Sequence, residues 1–239
     1  MTTETQALTE AAHSQPRRTA ILFDLDGTLI DSVYQHVLAW REALEGAGIE
    51  LSVWRIHRRI GMSGGLLVNA LLRETGRPVT PDEAARIATV HIQAYRRQIA
   101  QIRPLPGARE LLSYLTQLQV PWAIATSGRL ESAGPTLRLL DVPPDIPVIT
   151  RDQVDRAKPD PDLFLAAAAR LGVDIRDSIV VGDSVWDLLA ARRARALGVG
   201  LLSGGYGEAE LQSAGAYRVY QDPADLLNHL DELGIRVPL

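Results

Sequence analysis

Thr19-Ala-Ile-Leu-Phe-Asp-Leu-Asp-Gly-Thr28 is the stretch whose reading decides how this chain folds. Its first half, residues 19–23, is a short hydrophobic run that predicts a strand buried on both faces. The run stops abruptly at Asp24, and Asp26-Gly27 is a turn dipeptide. Beyond it, Val33, Val37, Trp40 and Leu44 recur at three- and four-residue spacing. They predict a helix over residues 33–47, closed by Gly46 and Gly48. A buried strand that passes through an acidic turn into a helix is the opening unit of an α/β sheet.

Residues 49–103 carry helical patterns and no convincing strand. Leu66, Leu67, Ala70 and Leu71 form one apolar stripe, and Pro81-Asp82 opens a helix with Ala85, Ile87, Ala88 and Ile92. The turn-rich Arg103-Pro-Leu-Pro-Gly107 marks a domain boundary. Helix and strand then alternate, with strands expected at 121–125, 146–149, 178–181, 199–202 and 217–220. Asp160 and Pro161 are expected to open the helix that Gly172 stops. The fold class is α/β: a Rossmann-like, doubly wound parallel sheet with an inserted helical cap. The core is expected from residues 19–32 and 104–239, the cap from 33–103, and a disordered polar tail from 1–18. Ligands of such sheets bind beyond the carboxyl ends of the strands, so the polar residues just after strands carry the interest.

The chain has 239 residues and a formal net charge of −4, without the basic surplus of a general nucleic-acid binder. It has no cysteine, which excludes disulfides and thiolate chemistry and suits a cytoplasmic location. No apolar run approaches the ~20 residues of a membrane span. The expected state is a monomer or a weak homodimer.

Asp24 and Asp26 follow the first strand, Thr126 and Ser127 the second, and Asp183 and Asp187 the strand at 178–181. Carboxylates gathered at neighbouring strand ends repel one another unless a cation lies between them. Oxygen ligands without His or Cys favour Mg2+ over zinc. With Lys158 and a hydroxyl nearby, the set suits phosphoryl transfer, where catalysis is mostly positioning and charge stabilisation. Asp24 could attack phosphorus, and Asp26 could move the proton. Each feature has a plainer reading: a turn at Asp26-Gly27, a helix cap at Asp183-Ser184, a loop at 126–128, a solvated Lys158. All of these would have to hold together, in order and after the right elements.

Phe23-Asp-Leu-Asp-Gly-Thr-Leu-Ile-Asp-Ser32, Ala123-Ile-Ala-Thr-Ser-Gly128, Lys158-Pro-Asp-Pro161 and Val181-Gly-Asp-Ser-Val-Trp-Asp187 resemble the four motifs of the haloacid dehalogenase superfamily. The resemblance spans nearly all of residues 19–230. It implies Asp24 as nucleophile and metal ligand, and Asp26 as general acid/base with a metal-binding carbonyl. It implies phosphate binding by Thr126 and the Ser127 amide, charge neutralisation by Lys158, and a magnesium site completed by Asp183 with Asp187 in support. The superfamily's true dehalogenases lack the second aspartate of the first motif, so Asp26 points to a phosphatase. His36 matches a hinge-proximal histidine of the beta-phosphoglucomutase branch. Ile60-Gly-Met-Ser-Gly-Gly65 resembles the substrate-specificity loop, with Gly64 where the mutase has an arginine; Gly64 and Gly65 are expected to meet the substrate. The expected activity is hydrolysis of a small phosphorylated metabolite, a sugar phosphate or a phosphoglycolate-type acid, through a phosphoaspartyl intermediate. The alternative is a sugar phosphate mutase. A phosphorelay receiver domain and a catalytically silent binding protein fit the motifs less well.

Overall fold

The structure, a computed structural model, describes residues 19–76 and 80–235. The tail expected over residues 1–18 lies outside the described residues. The first strand, β1 (Ala20–Phe23), is fully buried, as its unbroken apolar run requires. Then come β2 (Ile30–Asp31), α1 (Val33–Gly46), α2 (Val53–His57), α3 (Gly64–Thr75), α4 (Pro81–Arg96) and β3 (Arg103–Pro104). The rest alternates: α5 (Ala108–Gln117), β4 (Trp122–Ala125), α6 (Leu130–Leu137), β5 (Val148–Ile149), α7 (Asp162–Leu171), β6 (Ser178–Gly182) and α8 (Val185–Ala194). It ends with β7 (Leu197–Leu201), α9 (Glu208–Ala214), β8 (Ala216–Tyr220) and α10 (Pro223–Asn228).

Six strands form one parallel sheet in the order β5-β4-β1-β6-β7-β8. The connections reverse direction between β1 and β6, so a crevice opens beyond the carboxyl ends of these two strands. Asp24 ends β1 and Asp183 ends β6, which puts both at the switch point; the Asp24 amide donates to Val181 O at 2.9 Å.

The helical segment leaves and re-enters the core through one narrow gate. β2 and β3 pair antiparallel, Ile30 with Pro104 and Asp31 with Arg103. Between them, Val37, Trp40, Leu44, Ile56, Leu67 and Ile87 form an apolar cluster of their own. At ~1.5–3 kcal/mol per fully buried side chain, that cluster is what holds α1–α4 together. No helix among the described residues is long and apolar enough to cross a membrane.

Several boundaries differ from the sequence expectation. The helix expected to begin at Pro161 begins at Asp162, with Pro161 at the cap position. Asp160 does not cap it, and instead lies 3.5 Å from Arg193. α8 stops at Arg195, which takes left-handed φ of 64°, and β7 therefore starts two residues before the expected 199. In the stripe of α3, Leu67 and Ala70 are buried while Leu66 is over a third exposed; the side chain of Leu71 lies outside the described set.

Candidate active site

Asp24 leaves β1 already buried, and its Oδ1 accepts a hydrogen bond from Lys158. The ammonium of Lys158 is completely enclosed and also lies 2.8 Å from Asp187 Oδ1. Ser184 caps α8, and Asp187 Oδ2 accepts from the Ser184 amide at 3.1 Å and its hydroxyl at 2.6 Å. The plainer reading of this motif, a helix cap, is therefore real, and it also orients Asp187. Asp183 Oδ1 accepts from Thr28 Oγ1 at 3.0 Å.

Ligand atoms of Asp24, Asp183 and Asp187 all lie within 4.8 Å of one another, and all three residues are buried. Three carboxylates face one ammonium, an excess of two negative charges in a dry setting. Burial pushes the Asp24 carboxyl up to about 7, against the pull of Lys158. Burial, with Asp187 and Asp24 nearby, pushes Asp183 well above the usual carboxylate range. Charges crowded in this way want a divalent cation. The backbone makes room for them: a Cβ at Gly204 would lie 1.7 Å from Asp183 Oδ2, and one at Gly182 would lie 2.3 Å from Asp187 Cβ. All-oxygen donors, net charge and glycine cradle together fit a hard divalent ion.

Asp26 turns away from this cluster. Its Oδ1 accepts from Ser32 Oγ at 2.6 Å and lies 3.4 Å from His36 Nε2. Burial raises the Asp26 carboxyl, but His36 and Ser32 outweigh it and hold it below its ordinary value. Behind it the rings continue: His36 stacks on Tyr95 at 3.8 Å, its Nδ1 lies 3.1 Å from His91 Nε2, and His91 stacks on Trp40 at 3.9 Å.

A cavity of about 630 Å³ joins these parts. Asp24, Asp26 and Thr126 border it from the core, and His36, Gly64 and Gly65 border it from the helical segment. Thr126 Oγ1 accepts from the Gly128 amide at 2.9 Å. The Ser127 hydroxyl donates across to Gly61 O at 2.9 Å.

A family model described as haloacid dehalogenase-like hydrolase matches residues 19–195. The chain belongs to that family. A curated relative of this hydrolase, validoxylamine A 7'-phosphate phosphatase from Streptomyces hygroscopicus subsp. limoneus, is 36% identical over 75% of this chain and 84% of its own. Phosphoglycolate phosphatase from Caulobacter vibrioides is 31% identical over 82% of this chain and 84% of its own. A hydrolase from Pseudomonas syringae has a solved structure with a TM-score of 0.88 and 56% identity, covering 90% of this chain and 99% of that one.

One sequence expectation for this hydrolase needs correction. Gly64 and Gly65 do not form a loop: they make the first turn of α3, and neither takes positive φ. Added Cβ atoms there would meet only Trp40, at 3.7 Å, or nothing. The glycine that the backbone demands is Gly61, at φ 94°, where a Cβ would lie 2.7 Å from Ser184 Oγ. Arg58 pairs with Glu210 and lies 4.2 Å over the Tyr206 ring. His57 is buried, with Nε2 2.8 Å from Gly204 O. These contacts clasp the helical segment onto the core.

Sequence reasoning missed His91 and Asn69, and favoured packing over binding for Trp40. Trp40 is buried and also borders the cavity. His91 follows the buried Ile87 by four residues, a spacing that could have flagged it.

Gly204→Ala is expected to lower stability by about 1–3 kcal/mol, because the methyl group cannot fit without displacing Asp183 or the 202–204 turn. Urea unfolding with chelator present measures this. A midpoint equal to wild type would show that the cradle is not tight.

Proposed function

We propose that this hydrolase is a magnesium-dependent phosphatase that acts on a small phosphorylated metabolite through a phosphoaspartyl intermediate. The observation that carries the reading is the set of three buried carboxylates around one enclosed lysine, placed at the β1/β6 switch point. Asp24 and Asp183 would hold the cation, supported by Asp187 and by the backbone carbonyl of Asp26. When bound, the cation neutralises charge on the transferring phosphoryl group.

The chain's own groups do the rest. Lys158 opposes the effect of burial on the Asp24 carboxyl and keeps it aimed. Thr126 and the Ser127 amide hold phosphoryl oxygens. Asp24 attacks phosphorus, the bond from phosphorus to the leaving oxygen breaks, and Asp26 gives that oxygen its proton. Asp26 then takes a proton from water, whose oxygen attacks phosphorus and frees Asp24. His36 and Ser32 favour the carboxylate form of Asp26 in the resting site. A phosphate dianion arriving beside it raises that carboxyl and lets it carry the proton. The docked helical segment would exclude bulk water. The mutase alternative needs a grip on a second phosphate, and the commitment of Arg58 to Glu210 speaks for water as the acceptor.

Phosphate release from p-nitrophenyl phosphate should fall more than tenfold in excess chelator and return on adding Mg2+. Full turnover in chelator would sink the metal-dependent reading.

A further inference from the structure

We infer that the substrate's leaving group is an uncharged alcohol of sugar-ring size, and not a short carboxylic acid or a second phosphate; this rests on the phosphatase reading above. The cavity of about 630 Å³ lies within the ~300–1,000 Å³ range of sites that enclose a drug-sized ligand, far more than a two-carbon acid needs.

Its shape comes from one face of α4. Pro81, Ala84, Ala85, Ala88 and Ile92 border the cavity at helical spacing. Ile87 is buried in the cluster that holds α1–α4 together, and Ala84 and Ala88 pack against that cluster as well as bordering the cavity. On the cavity side the alanines are small and leave width there. Leu66, exposed where its neighbour Leu67 is buried, adds an apolar surface from α3. Sugar rings present C–H faces that suit such a wall.

The charge pattern agrees. Among the described residues that α1–α4 and their connections bring to the cavity, none is Lys or Arg. Their polar groups include Asn69, Ser63 and His91. Burial, with His36 beside it, holds the His91 imidazole well below its ordinary value, so it stays neutral. The bordering arginines belong to the core, and two of them are engaged there: Arg129 pairs with Asp152 at 3.0 Å, and Arg151 donates to Asp155 O at 3.1 Å. Arg156 borders the cavity together with Asp155 and Asp160. An anionic leaving group laid against alanine and leucine would lose its hydration without a counter-charge.

The test compares kcat/KM with Mg2+ for acetyl phosphate, glucose 6-phosphate, glucose 1,6-bisphosphate and phosphoglycolate. Glucose 6-phosphate is expected to exceed phosphoglycolate and the bisphosphate, the two esters with a second anionic group, at least tenfold. Ala88→Leu should cut the ratio of glucose 6-phosphate to acetyl phosphate at least tenfold. Ala88→Arg should move the preference toward phosphoglycolate. A wild-type preference for phosphoglycolate or the bisphosphate, or equal rates on all organic esters, would overturn the inference. If Arg156→Ala then removed that preference, the anion grip would belong to Arg156. Absence of acetyl phosphate turnover would instead overturn the phosphatase reading on which the inference stands.

Discussion

Asp24→Asn is expected to lower turnover by on the order of 10⁴-fold or more while the protein stays folded. The amide keeps the shape of the carboxylate but cannot attack phosphorus. Lys158 keeps its second partner, Asp187, at 2.8 Å, so the enclosed ammonium is not left unpaired. The variant should even gain stability when metal is absent. Burial raises the folded Asp24 carboxyl from 3.8 to about 7. Between those values the folded chain binds more protons than the unfolded one, so stability falls as pH rises from about 4 to about 7. Removing the carboxyl removes that loss. Urea midpoints with chelator at pH 5 and pH 8 should therefore drop less for the variant than for wild type. Near-wild-type turnover would exclude Asp24 as nucleophile, and an identical pH dependence would show that its burial costs little.

Asp26→Asn should slow the enzyme by about 10²–10⁴-fold, the usual worth of general acid–base help. Both half-reactions should suffer, since one carboxyl gives the proton to the leaving oxygen and takes one from water. The first half separates on leaving-group quality. An aryl phosphate departs without much protonation and should lose less in that step than an alkyl phosphate. The second half is common to both, so a burst of p-nitrophenol followed by a slow steady state is expected. Ser32 at 2.6 Å and His36 at 3.4 Å can also face an amide, so local geometry should survive. A loss under tenfold on an alkyl phosphate would remove Asp26 from this role.

The contrast between Asp24 and Asp26 shows how far the sequence can be read. Two aspartates separated by one residue would point to the same side of an extended chain. The strand has ended at Phe23 and the chain turns at Asp26-Gly27, so Asp24 joins Lys158 while Asp26 joins Ser32 and His36. The spacing did not foretell that they would differ, nor which partners each would find.

The sequence by itself determined the sheet, the helical insertion and the residues at the strand ends. These follow from local rules: an unbroken apolar run must be buried, and an apolar stripe of period near 3.6 must pack on something. Only the tertiary structure decided that Gly64 and Gly65 begin a helix and that Gly61 carries the strained backbone. It also decided that Arg58 clasps Glu210 across 152 residues, and that Ala85 lines a cavity while Ile87 packs a core and Ala88 does both. In a sequence, an alanine that packs and one that makes room look alike. What separates them is the atoms that stand opposite, and distant parts of the chain supply those atoms only once it has folded.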